Sequence, residues 1–290
     1  MPTNFPKLKF VLSQLSKQTR ELIKNLGWID FGCGPASLGL GLIDELGVNE
    51  GNWYQGIESS PFMRSQAKEL LKVYAPDIKA DFFQSLPHKI EQNQLLVMGN
   101  VVNELTAEEV ESIVKQVNPR VIIFLDIGTQ DVFAKMLRLR DYLLKEDYTI
   151  DYPCRTMSSC PMAETTNWCH QKIFVTQDPL LERLGQKIKN DRRTLPFNAF
   201  VFVKGEERKS SAKEIRLIRM FTETKFSFSF EGCNNKGELE QYEILKKTLT
   251  KDQRKGFKKV NWGELILCGK SEQKGHKIRI EDVSFGCDDD

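Results

Sequence analysis

The chain has 290 residues, 40% hydrophobic and 28% charged, with a net charge of +2, a composition that fits one large globular domain or two modest ones. It holds no run of about eighteen apolar residues and opens without an apolar h-region, so it predicts neither a membrane-spanning helix nor a secretory signal. The charge is uneven: residues 1–170 carry −4, residues 171–280 carry +11 and residues 281–290 carry −5. A basic third of this kind is the electrostatic footprint of a nucleic-acid binder, or else a solvated lysine-rich surface.

Residues 8–26 place Phe10, Leu12, Leu15, Leu22, Ile23 and Leu26 at roughly helical spacing, with Gly27 as the stop. WIDFGCGPASLGLGLIDELG then predicts a strand, a glycine turn at Gly32 and Gly34, and a helix from about Pro35. A second strand, NWYQGIE, ends in Glu58, where an acid can accept hydrogen bonds from ribose hydroxyls. The dinucleotide pattern G-x-G-x-x-G is met only loosely by Gly34, Ala36 and Gly39. The run Asp-Phe-Gly-Cys-Gly-Pro instead resembles motif I of the class I S-adenosylmethionine-dependent methyltransferases. That resemblance implies that Asp30, Gly32, Gly34 and Pro35 meet the amino-acid half of the cofactor. It also implies that Glu58 holds the ribose and that Asp81, in the third strand IKADFFQ, lies near adenine. Cys33 is then a small residue of the turn.

Strands and helices keep alternating: QLLVMGNVVNEL opening onto Asn100, Asn103 and Glu104; a helix with Thr106 and Glu109 as a capping box; the strand PRVIIFLDIGT; an amphipathic helix; and YTIDYP. Such alternation predicts a doubly wound, mostly parallel α/β sheet of Rossmann-like type, with ligands at the carboxyl ends of its strands, where Asp30, Glu58, Asp81, Asn100 and Asp126 fall. The Asp/Asn-Pro-Pro-Tyr/Phe signature of amino-group methylation is absent after Gly99, and no catalytic residue is assigned. Cys154 is a further nucleophile candidate, though it follows the sixth strand and not the fourth or fifth.

The segment YPCRTMSSCPMAETTNWCH puts Cys154, Cys160 and Cys169 within sixteen residues. Pro153 and Pro161 fix bends beside two of them, and His170 adjoins the third. The spacing favours a metal or iron–sulfur site over buried apolar cysteines or a disulfide, which a reducing compartment disfavours. A fourth ligand is needed. Cys287 falls in the acidic tail and Cys268 in an apolar strand, whereas Cys233 lies in a turn able to present its sulfur; it is preferred, with His170 in reserve. The last third otherwise reads as a basic helix from residue 179, the strand FNAFVFVKG, and short strands including KFSFSF and KIRI. These suggest a small barrel or sandwich similar in kind to RNA-binding OB folds. Phe226, Phe228 and Phe230 are core or base-stacking residues, with core preferred.

Together, the motif I domain, the Pro-Cys…Cys-Pro…Trp-Cys-His segment, the Cys233–Gly237 turn and Trp262-Gly263-Glu264 resemble the methyltransferase-like proteins that assist small-ribosomal-subunit assembly, mitochondrial with bacterial relatives. LDIGT resembles that family's Glu-Pro-Gly-Thr loop, with Asp126 and Ile127 as departures; Arg155 stands where histidine is usual and Gln171 where an aromatic often stands. The resemblance implies a [4Fe–4S] cluster on Cys154, Cys160, Cys169 and Cys233, with zinc as the alternative metal, S-adenosylmethionine in the first domain, and binding to the small subunit and its rRNA. It also implies the domain plan: a helical lead 1–26, a methyltransferase-like domain 27–153, a cysteine-rich module with a basic helix 154–200, a β-rich RNA-binding domain 201–281 and an acidic tail 282–290. Neither membrane nor DNA is an expected partner. An assembly factor in a bacterial cytoplasm or a mitochondrial matrix is the first reading; an active rRNA (cytosine) methyltransferase is the second.

Overall fold

The computed structural model describes residues 3–49, 51–91, 93–176, 179–187, 193–206 and 214–285. Contacts divide the chain into two units: Met1–Tyr152 with Phe197–Glu207, and Pro153–Pro196 with Arg208–Asp290. In chain order the elements are α1 (Asn4–Ser13), α2 (Lys17–Lys24), β1 (Gly27–Phe31), α3 (Ser37–Leu46), β2 (Trp53–Ile57), α4 (Pro61–Tyr74) and β3 (Lys79–Phe83). There follow β4 (Gln94–Gly99), α5 (Ala107–Val117), β5 (Val121–Ile127), α6 (Gln130–Lys145), β6 (Tyr148–Tyr152), β7 (Gln171–Phe174), α7 (Pro179–Lys187) and β8 (Thr194–Lys204). The last part holds β9 (Glu214–Glu223), β10 (Ser227–Asn234), β11 (Leu239–Leu245), α8 (Lys251–Phe257), β12 (Leu265–Cys268), β13 (Ser271–Lys274), β14 (Lys277–Ile280) and β15 (Val283–Phe285).

The first unit is a twisted sheet in the order β3-β2-β1-β4-β5-β8-β6. β1 to β5 pair in parallel, while β8 lies antiparallel between β5 and β6. Parallel strands covered on both faces must be apolar throughout: Leu95–Met98 and Val121–Leu125 are buried without interruption. Two expectations change here. The helix read over residues 8–26 is two helices, because Ser16 stops the first and caps the second, accepting from the Thr19 amide at 3.2 Å while its own amide donates to Asp151 at 3.0 Å. The strand FNAFVFVKG belongs to this sheet as β8, not to the C-terminal β region. Its residues Phe197 to Val203 are buried on both faces, which a strand inside a covered sheet requires.

The second unit is built on a seven-stranded sheet, β13-β14-β11-β10-β9-β12-β15, antiparallel except for β11 with β14. Among the described residues no pairing joins β13 to β15, so of the barrel or sandwich expected the closed barrel is not formed and the sheet is an open path; its end strands are only four and three residues long. Phe228 and Phe230 join Leu217, Ile244, Phe257 and Ile266 in its core, whereas Phe226 is 71% exposed. Of the alternating aromatics, two are core and one is on the surface. The acidic tail with Cys287 lies outside the described residues, apart from its first positions.

Packing in the first unit runs through Gly39. A methyl group there would stand 2.3 Å from the Tyr54 ring, whose atoms are fully buried. A Gly39→Ala change gains about 1 kcal/mol of helix propensity but overpacks a ring that cannot move, at about 1–3 kcal/mol. The expected net outcome is a lowered melting temperature in calorimetry, and an unchanged or raised one would show that α3 does not press on Tyr54.

Candidate functional site

Two places gather functional side chains, one in each unit. In the first, β1 ends in a turn whose positive φ values, +70° at Gly32 and +52° at Gly34, require glycine. The Gly32 and Cys33 amides donate to the Ile57 carbonyl at 2.8 and 3.0 Å, and the Gly34 amide to Glu58 Oε2 at 3.0 Å. The other Glu58 oxygen accepts from the Ser60 amide at 2.8 Å. Glu58 therefore ties the glycine turn to the start of α4 while retaining the further acceptor capacity of a carboxylate.

Asp30 is 2% exposed and accepts from the Tyr54 hydroxyl at 2.9 Å. Burial pushes its carboxyl up from 3.8 to about 7, with the Glu58 charge adding to the rise; the Tyr54 hydroxyl and the Gly39 backbone oppose it. Cys33 is buried and its thiol is pushed up by burial and then by Asp30, consistent with a turn residue. Asp81 is exposed on β3, opposite Gln55 of β2. Asn100, at φ +56°, anchors its amide on the Leu125 carbonyl at 2.8 Å and donates from its side chain to Asn4 at 3.3 Å. Pro35 is half-buried just past the turn.

Sequence reasoning missed Tyr54, whose position inside an apolar strand gave no sign that its hydroxyl seats Asp30. It also missed Lys7. That amine is buried on α1 and pushed down by desolvation, which the charge of Asp126 opposes. Asp126 is fully buried and accepts from the amides of Asn103 and Ile127 at 3.0 and 2.7 Å.

In the second unit, Cys154, Cys160, Cys169 and Cys233 are half-buried thiols. Burial pushes the Cys169 thiol well up, and then Cys154, Cys160 and Cys233 raise it further, with Arg216 opposing. The four sulfurs singled out in the sequence are thus near neighbours. The β10–β11 turn brings one of them in: at Gly237, φ +82°, a Cβ would meet Thr156 Cγ2 at 3.0 Å and the Ser159 carbonyl at 3.7 Å. An antiparallel bridge between Lys172 and Trp262 fixes the chain just past Cys169. His170 packs between Trp168 and Trp262 with its ring tilted to both, at centroid distances of 5.4 and 5.2 Å. No group of three or more His, Cys, Asp or Glu side chains among the described residues is arranged to hold a metal ion. The Cys169 thiolate would be repelled by those of Cys154, Cys160 and Cys233, and a bound cation or cluster would reverse that sign. The donor set fits a thiophilic group on chemistry, short of a closed coordination sphere.

Basic and aromatic side chains of this unit also pair on its surface. Lys172 lies over the exposed ring of Phe174 at 5.4 Å, Arg219 over Phe221 at 5.2 Å and Lys225 over Phe226 at 5.8 Å.

The strand order of the first unit, with its reversed strand between the two last parallel positions, is that of a class I methyltransferase-like fold. A family model described as mitochondrial small ribosomal subunit Rsm22 matches residues 1–266. The chain belongs to that family. Among solved structures it is similar to magnesium protoporphyrin IX methyltransferase of Synechocystis with bound SAM (12% identity, 69% of this chain and 78% of that one, TM-score 0.42). It is also similar to precorrin-6y C5,15-methyltransferase of Geobacter metallireducens (12%, 68% and 88%, TM-score 0.43). A third likeness is to an O-methyltransferase of Bacillus cereus in complex with SAH (10%, 70% and 82%, TM-score 0.42). No curated protein matches it in sequence. No helix among the described residues is long and apolar enough to cross a membrane.

Asp30 yields a pH prediction. Its folded pKa of about 7 lies above the ordinary 3.8, so folding takes up a proton between those values. The stability it contributes is complete below the unfolded pKa and is lost as pH rises through about 7. Asp30→Asn has no proton to take up. Urea denaturation at pH 4.5 and pH 8 should therefore find the variant gaining on the wild type as pH rises, and a constant difference would mean that Asp30 is not buried as a carboxyl.

Proposed function

We propose that the protein is a ribosome-associated, methyltransferase-like factor that binds rRNA of the small subunit and assists its assembly, with an iron–sulfur cluster on Cys154, Cys160, Cys169 and Cys233. The observation that carries the reading is membership of a family named for the small ribosomal subunit; the influence of the Cys154, Cys160 and Cys233 thiols on that of Cys169 supports the cluster. A cluster supplies the cation that buried, mutually repelling thiols need, and because its site is absent from the unfolded chain its binding is part of the folding free energy of the second unit. The +11 charge of residues 171–280 and the cation-covered rings of Phe174, Phe221 and Phe226 support contact with phosphates and unstacked bases. Such a factor works where small subunits are assembled, in a bacterial cytoplasm or a mitochondrial matrix.

S-adenosylmethionine is the cofactor proposed for the first unit. The glycine turn would take its amino-acid half beside Asp30 and Pro35, Glu58 its ribose, and Asp81 and Asn100 would border the adenine and the acceptor side. Bound there, it supplies an electrophilic methyl group. The residues themselves orient and shield it: Gly32 and Gly34 bring backbone close, and Tyr54 holds the Asp30 carboxyl in place. A working rRNA methyltransferase is the second reading, favoured by the intact turn. Val101, Val102 and Asn103 stand where amino-group enzymes carry Pro-Pro-Tyr/Phe, which favours the assembly role.

Anaerobic purification with metal analysis tests the cluster. The expected result is about four irons and four sulfides per chain, lost together with ribosome binding in a Cys160→Ser/Cys233→Ser variant. One zinc per chain would replace the cluster by a structural clip, and a variant that keeps both fold and ribosome binding would sink the proposal. For the first unit, Asp30→Ala should lose S-adenosylmethionine binding by calorimetry while retaining small-subunit sedimentation. Loss of both would make cofactor binding a condition of assembly, as the enzyme reading requires.

A further inference from the structure

Strand β9 carries Glu214 and Arg216 two residues apart, hence on one face. They are 7% and 1% exposed. Arg216 donates from Nε to the Pro153 carbonyl at 2.9 Å and from Nη1 to the Gly263 carbonyl at 2.7 Å. Glu214 pairs with Arg155, which is itself only 5% exposed. The two residues gripped in this way, Pro153 and Arg155, are the immediate neighbours of Cys154. Arg216 is also the register partner of Cys233 on β10 and of Leu265 on β12. A buried guanidinium is costly unless its planar donors are met; here two are met by carbonyls that belong to the Cys154 loop and to the Trp262-Gly263-Glu264 turn.

We propose that Glu214 and Arg216 are positioning residues of the four-cysteine site, clamping the Pro153–Arg155 tripeptide so that Cys154 faces Cys233, and that Arg216 supplies the fixed positive charge beside the sulfurs. The inference rests on the cluster reading above. Arg155 and Glu214 neutralise each other, so Arg216 is the net cation of the trio. It is therefore the group that offsets the negative charge of a cluster held by four thiolates, standing opposite Cys233 in the strand register. Outer partners of this kind typically change metal affinity by about 10- to 100-fold when removed. Two effects are separable. Lysine keeps the charge of Arg216 but cannot reach both carbonyls as a fork, whereas methionine keeps only the bulk.

The test uses the full chain, purified anaerobically, as wild type, Arg216→Lys, Arg216→Met, Arg155→Glu and Arg155→Glu/Glu214→Arg. Iron and sulfide per chain, the rate of iron loss to a ferrous chelator, the cluster's reduction potential and near-ultraviolet circular dichroism are measured. The expected result is iron loss about 10- to 100-fold faster in both Arg216 variants and in Arg155→Glu, with recovery toward wild type in the reversed pair. The potential should fall in Arg216→Met and hold in Arg216→Lys, a split that a purely structural role would not produce. Folded variants with wild-type iron retention overturn the inference. If Arg216→Met does not fold, a reversed pair that fails to recover what Arg155→Glu loses overturns the clamp. A wild-type chain without iron and sulfide overturns the cluster reading and this inference together, whereas a loaded wild type beside indifferent variants overturns this inference alone.

Discussion

The constraint on which the architecture turns is the antiparallel placement of β8 between β5 and β6. A parallel sheet grows through crossovers that return each strand in the same direction, and a reversed strand ends that growth. To insert β8 there, the chain must leave β6 at Tyr152, travel, and come back in the opposite sense at Phe197. Everything between is an excursion tethered at both ends to strands of one sheet. Cys154, Cys160 and Cys169 lie on that excursion, and the fourth sulfur, Cys233, comes from the chain that follows the sheet's last strand. Ligation of the four would link residues that lie before and after β8 in the sequence.

The sequence was most readable where a local rule has one physical solution. A glycine pair after an apolar strand, with acids at two strand ends, leaves little choice of backbone, and Gly32 and Gly34 adopt the positive φ that was anticipated. The clustered cysteines were legible because polar residues between them excluded a packed core, and the Gly237 turn does reach Thr156 and Ser159. What was not legible has a common cause: side chains whose role is set by burial. Arg216 counts as part of the basic third in any tally of charge, yet it is interior, as is Arg155 of the preceding segment. Tyr54 looks like a strand aromatic, and only the fold reveals that its hydroxyl faces Asp30. FNAFVFVKG read as one strand among several because an apolar run announces a doubly covered strand without saying which sheet covers it.

Burial also qualifies the charge argument for RNA. Several surface cations of the second unit are already paired in the folded chain: Lys246 and Lys258 with Glu223, and Arg279 with Glu243. Surface pairs of this type contribute little to stability, so a polyanion can exchange its phosphates for them at small cost. Arg216 and Arg155 cannot take part in that exchange, because withdrawing either would leave a buried carbonyl or carboxylate unpartnered. The basic third therefore holds an interior guanidinium, Arg216, apart from a surface population open to phosphate.

The two candidate sites solve opposite electrostatic problems by the same means. Around Asp30, burial favours the neutral carboxyl, and the charge of Glu58 nearby adds to the pressure, with Asp30 seated under Tyr54 and Glu58 holding the glycine turn. Around Cys169, burial and three neighbouring sulfurs favour neutral thiols. In the first case a cofactor bearing a positive sulfonium centre, and in the second a cationic cluster, would invert the local preference and convert repulsion among like groups into attraction toward the guest.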